Sequence, residues 1–180
     1  MTEAAGKSPP SLSLIHSVKQ FKIIRAMFNN AATMDLRIDV LCEDIASLFN
    51  IAGPITFHLP PSLQPSSTQK QIIHHPWIDL LPVRSFRNTL IARMTEYDDE
   101  ELCSDLYGLN NASGEVGLVV WGESWDPLAY EVSEKVVEKW CWILKDSPEL
   151  LASTNYWRRK RREKPLRLIE SRELFIHEID

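Results

Sequence analysis

The chain has only three cysteines, Cys42, Cys103 and Cys141, and no Cys-x-x-Cys pair. An odd number at wide spacing argues against a disulfide framework and a zinc ribbon, and favours a reducing compartment. No apolar run approaches the roughly 20 residues needed to span a bilayer. Residues 1–11 are polar and rich in Pro, Ser and Ala, with no apolar h-region, so no secretory signal is expected. Bulk positive charge is also missing. A net charge of −5 argues against nucleic-acid binding by overall electrostatics. There is no Walker A loop, Gly-x-Gly-x-x-Gly turn, Gly-x-Ser-x-Gly elbow or His-Glu-x-x-His helix. Standard nucleotide enzymes, serine hydrolases of that type and zincins are therefore disfavoured.

What is present fits one mainly α domain. The chain of 180 residues can bury a core without staples. The expected division is a tail over 1–11, a compact helical domain over 12–165 and an extension over 166–180. Leu14, Val18, Phe21, Ile24 and Phe28 recur at helical spacing and predict a helix with that face buried. Asn29-Asn30 predicts a break. Met34, Ile38, Leu41, Ile45 and Leu48 predict a second helix, and together a helical hairpin. Residues 51–68, with Gly53, Pro54, Pro60, Pro61 and Pro65, read as an irregular connection.

Helices are expected again over 82–94, with Pro82 in the first turn, over 98–107, and over 131–144. Ser147-Pro148-Glu149 reads as a capped start of a last helix, which Pro165 closes off. Val116 to Trp121 is the one convincing strand, with 55–59 as its expected partner, so the fold holds one short strand pair at most.

Two segments carry most of the unusual chemistry. The first is His74-His75-Pro76-Trp77-Ile78-Asp79. Pro76 keeps His75 out of helical geometry, so the two imidazoles point different ways. One reading is a structural turn, with an imidazole capping a backbone group and Trp77 in the core. The other is an acid/base histidine oriented by Asp79. No third ligand stands at a recognised spacing, so no metal is expected. The second segment is Trp121-Gly122-Glu123-Ser124-Trp125-Asp126-Pro127, just past the strand. Trp121 and Trp125 could wall an apolar pocket with Glu123 or Asp126 at its rim, or Asp126 could simply cap a turn. The run Trp157-Arg158-Arg159-Lys160-Arg161-Arg162 reads as a nuclear-import or phosphate patch, or as cations that complement a helix C-terminus.

These motifs, taken from His74 through Pro82, Gly117 to Pro127, Glu131 to Glu134 and Thr154 to Arg158, resemble a family. It is a fungal domain of unknown function usually found C-terminal to the basic region and leucine zipper of fungal bZIP-type transcription factors. The resemblance runs from about Ser13 to Pro165. It implies a fungal origin and a mostly helical domain, and no established activity. Family members often show Gly-Trp before Glu-Val-Ser-Glu, where this chain has Ala129-Tyr130. Residues 1–11 hold one lysine and no basic helix, so the chain reads as the companion domain standing alone, with no direct DNA binding expected.

The preferred expectation is a cofactor-independent enzyme of fungal secondary metabolism, acting on a small apolar or polyketide-like substrate by ring closure, for example pyrone formation. His74 or His75 would be the base, Asp79 its orienting group, and Glu123 or Asp126 the partner acid. Trp77, Trp121, Trp125 and Tyr130 would wall the pocket, with Arg87 and Trp157 as further substrate contacts. A polyketide synthase and a second copy of the chain are the candidate partners, in the cytoplasm, with nuclear entry through Arg158–Arg162. The alternative is a metabolite-sensing or dimerisation module of a transcriptional regulator. Both segments are expected to meet in space as two walls of one pocket.

Overall fold

The computed structural model describes residues 12–43, 45–51, 58–109 and 115–168. Helix α1 covers Leu12–Thr33. The short α2 (Leu48–Ile51) and α3 (Ser67–Gln71) follow, then α4 (Arg84–Ala92) and α5 (Asp99–Tyr107). Strands β1 (Leu118–Val120) and β2 (Tyr130–Val132) precede α6 (Glu134–Leu144) and α7 (Pro148–Lys160). The fold is mainly helical, as its periodicity predicts, with one two-stranded antiparallel sheet among the described residues. None of the described helices is long and apolar enough to cross a membrane.

Local chemistry explains several boundaries. Asp98 accepts the Glu101 N–H at the start of α5, whose first turn is acidic and complements the helix dipole. Gly108 ends α5 at φ 69°, a left-handed conformation that glycine adopts without strain. Ser66 and Gln69 form a reciprocal capping box on α3. Ser133 caps α6 by accepting the Val136 N–H.

The structure corrects other expectations. Helix α1 runs straight through Asn29-Asn30, because Asn30 is buried and its side-chain amide donates to the carbonyls of Leu80 and Ser124, at 2.8 Å each. The buried face of α1 is Ile23, Ala26, Asn30 and Ala31. Leu14, Val18, Phe21 and Phe28, the face expected inside, are exposed, Phe21 to 64%. Apolar residues lie on more than one side of α1, so periodicity alone selects no face. The small residues Ala26 and Ala31 allow the closer approach.

The expected second helix is a 3-10 turn at Ile38–Cys42 followed only by α2, and no hairpin forms. Helix α4 starts after Pro82 rather than with it. Pro148 does occupy the first turn of α7, but the Ser147 side chain makes no capping hydrogen bond.

The partner of β1 is β2, with Leu118 opposite Val132 and Val120 opposite Tyr130. Of the partner expected at 55–59, residues 55–57 lie outside the described residues and Leu59 is buried without strand pairing. Helix α1 packs on β1 and α7 on β2, so both strands are buried throughout. Gly117, just before β1, sits so close to α5 that an added Cβ would collide with the Asp105 carbonyl and the Val136 side chain.

Candidate functional site

The first segment folds into a 3-10 turn, Pro76–Leu80, which brings Asp79 back under His74. His74 Nε2 lies 2.8 Å from Asp79 Oδ1, and Nδ1 lies 2.7 Å from the Ile72 carbonyl. A carbonyl only accepts, so Nδ1 carries a proton there. Nε2 must then share a second proton with the carboxylate, as in an imidazolium–carboxylate pair. Burial pushes the imidazole down. The hydrogen bond and charge of Asp79, with help from the Ile72 carbonyl, push it up by more, and the net shift is upward.

Asp79 accepts two further bonds, from Ser47 Oγ at 2.5 Å and from Gln69 Nε2 at 2.6 Å. Arg87 extends the network. Its Nε donates to Gln69 Oε1 at 3.0 Å, and its two terminal nitrogens reach the carbonyls of Ser62, Leu81 and Gln64. Arg87 is fully buried, and burial lowers its pKa to about 10.

His75 does different work. Its Nδ1 accepts the Trp77 N–H and caps the 3-10 turn, which leaves Nε2 to donate to the Glu43 carbonyl at 2.9 Å. Trp77 is in the core, edge-on to Tyr107, with its indole N–H on the Asp99 carboxylate. Thus His74, Asp79, Arg87 and Trp77 are all buried. Their polar groups are taken up by one another, by the backbone and by the side chains of Ser47, Gln69 and Asp99.

The second segment divides. Asp126 caps the 3-10 turn Pro127–Ala129 by accepting the Leu128 N–H at 2.9 Å. Tyr130 is buried with its hydroxyl on the Ser124 carbonyl, and burial raises its pKa. Trp125 is 45% exposed. Glu123 lies exposed on the surface.

Trp121 enters a cluster the sequence did not suggest. Its indole N–H donates to Glu131 Oε2 at 2.6 Å, and its ring stacks on Trp157 at 5.5 Å between centroids. The Arg161 guanidinium lies 5.0 Å from the Trp121 ring and binds both oxygens of the buried Glu131. Trp157 also donates its indole N–H to the Leu128 carbonyl.

This cluster edges a groove of about 720 Å3, which Ile15, His16 and Lys19 of α1 line together with Trp121, Glu131 and Arg158. A smaller cleft of about 150 Å3 lies beside it, and Trp121 lines that one too. Glu131, Arg161 and His16 escaped the sequence reading. Glu131 falls at the start of the helix expected over 131–144, Arg161 inside the basic run, and His16 within the apolar pattern of α1. The alternation Tyr130-Glu131-Val132 was the signal for a strand.

The two motif segments meet in space. They meet through Asn30, whose one amide nitrogen bonds Leu80, next to Asp79, and Ser124, next to Glu123. Among the described residues no group of three His, Cys, Asp or Glu side chains is placed to hold a metal ion.

The fold and geometry define a mainly helical protein with a closed polar network at its centre and an open groove along its sheet. Residues 52–151 match the family described as Domain of unknown function (DUF3425), and the chain belongs to that family. No curated protein matches it, and no solved structure does. The matched span holds His74, Asp79, Arg87, Trp121 and Glu131, whereas α1, Trp157 and Arg161 lie outside it.

Proposed function

We propose that the groove binds a small, oxygen-rich molecule of the polyketide type and closes a ring on it by proton transfer, without a cofactor. The groove itself carries this reading. Its volume of about 720 Å3 is in the range of small-molecule sites, it has an indole wall, and an imidazole and two guanidinium groups line it. Lys19, Lys135, Arg158 and Arg161 nearly balance Glu115, Glu131, Glu134, Glu138 and Glu163 around it, which suits an uncharged chain of carbonyls.

In lactonisation an enol hydroxyl attacks an acyl carbonyl. The new C–O bond forms as the bond to the leaving thiol breaks, and the proton lost by the enol ends on the thiol. Atoms and protons balance, so a proton carrier and a cation to hold the enolate suffice. His16 is the proton carrier in this scheme, because its imidazole lines the groove and can both accept and donate a proton. Arg158 and Arg161 hold the enolate oxygen, and Trp121 shapes the chain. The catalytic assignment thus moves away from His74, His75 and Asp79, whose bonds are internal.

The test is to incubate the purified protein with a synthetic triketide thioester and follow pyrone release. Release that falls in His16→Ala and persists in His75→Ala is expected. No release above the spontaneous rate, or full activity in His16→Ala, overturns the scheme.

One observation favours the alternative of a metabolite-sensing module in a regulator. The Glu131 carboxylate is already committed to Trp121 and to both terminal nitrogens of Arg161, so both its oxygens are occupied before a substrate arrives. That reading expects a ligand-dependent change in tryptophan fluorescence with no turnover.

A further inference from the structure

We infer that the smaller cleft, between α1 and the loop after β1, is an oxyanion subsite that takes a carboxylate or a phosphate monoester. This rests on reading the groove as the substrate site, since Trp121 lines both spaces. Lys22, Arg25 and Asn29 of α1 line one side of the cleft, and residues 120–124 line the other. Lys22 and Arg25 are three apart, so they share one helix face. Neither makes an ion pair among the described residues, and Lys22 only rests its ammonium 5.3 Å from the Trp121 ring.

The loop supplies more donors. The N–H groups of Gly122, Glu123 and Ser124 bond to no backbone carbonyl among the described residues. The loop is held from behind, because Asn30 and Tyr130 both donate to the Ser124 carbonyl. Lys22, Arg25 and Asn29 therefore line a space of about 150 Å3 together with Gly122, Glu123 and Ser124, whose N–H groups are open to a ligand. That is room for about five water molecules, or for one oxyanion group with some hydration.

The one opposing group is the Glu123 carboxylate, which lines the cleft without pairing to either cation. Helix α1 has no acidic residue, in a chain whose net charge is −5. A ligand with an anionic end would anchor here and lay its uncharged body in the groove. That end could be the free carboxylate of an acyl chain or the phosphate of a phosphorylated carrier arm.

The experiment titrates the full chain with inorganic phosphate and, separately, with acetate, following tryptophan fluorescence, with Trp121→Phe identifying the reporter. Saturable binding of at least one anion is expected. The double variant Lys22→Gln/Arg25→Gln should weaken it about tenfold or more, the equivalent of about 1.4 kcal/mol. Glu123→Gln should tighten it, a gain that misfolding does not mimic. Removing two distant cations, Lys70 and Lys145, should leave it unchanged. Absence of binding by both anions, or equal loss from either pair of substitutions, overturns the subsite. Pyrone release without anion binding sinks the subsite alone, and anion binding without ring closure sinks the enzyme reading alone.

Discussion

His74 Nε2 and Asp79 Oδ1 lie 2.8 Å apart, and the imidazole has no exposed surface. A titratable pair closed off in this way affects stability rather than exchanging protons with a substrate. Its pH dependence has a definite sign. The folded His74 value is raised above the ordinary one near ~6.5. Its contribution is therefore fully present below about pH 6.5 and lost as pH rises through the folded value. Urea denaturation from about pH 6 to pH 9 should show a falling midpoint in the native chain and a flatter one in His74→Gln. A native midpoint that rises over that range contradicts a charged His74.

Asp79 holds together donors from three separate segments, Ser47, Gln69 and His74. Asp79→Ala leaves all three without an acceptor in a buried place. The expected loss is about 3–5 kcal/mol, the scale for breaking a buried ion pair. Arg87→Lys should also destabilise, because one ammonium cannot reach the four acceptors that the guanidinium fork spans. Chemical denaturation measures both. An Arg87→Lys chain as stable as the native one would show that the fork is dispensable.

Asn30 joins the two motif segments. Asn30→Asp removes both donated bonds while keeping size and shape. Its expected cost is about 1–3 kcal/mol for the Leu80 carbonyl left unsatisfied, because the Ser124 carbonyl keeps the Tyr130 hydroxyl. Hydrogen exchange should rise around Leu80 and Ser124 together. A rise at only one of them would show that the segments are not coupled through this residue.

Helix α1 provides a direct contrast. Phe21 is 64% exposed and Ile23 only 1% exposed. Phe21→Ser should change stability little, within about 0.5 kcal/mol. Ile23→Ala should cost about 2–5 kcal/mol, the range for emptying a buried aliphatic site. Equal effects would place the buried face of α1 elsewhere.

Much of the fold was legible because its signals are local. The proline that opens α7 and the apolar spacing of α4 to α7 act within a few residues, so the mainly helical class follows from sequence. The candidate site was less legible. Asp79 stands five residues from His74, but Ser47, Gln69 and Arg87 close around them only when three distant stretches converge. Glu131 and Arg161 are thirty residues apart and meet only because α7 returns along β2.

From sequence alone come the helical class and the two motif segments, since periodicity and proline geometry need no distant partner. Tertiary structure decided the rest. It chose which side of α1 is buried, because several sides are apolar and only close packing of Ala26 and Ala31 discriminates among them. It chose β2 as the partner of β1, because pairing depends on which edge lies alongside. It also enclosed His74 and left Trp121 at an open groove, because access to solvent depends on everything packed around a residue.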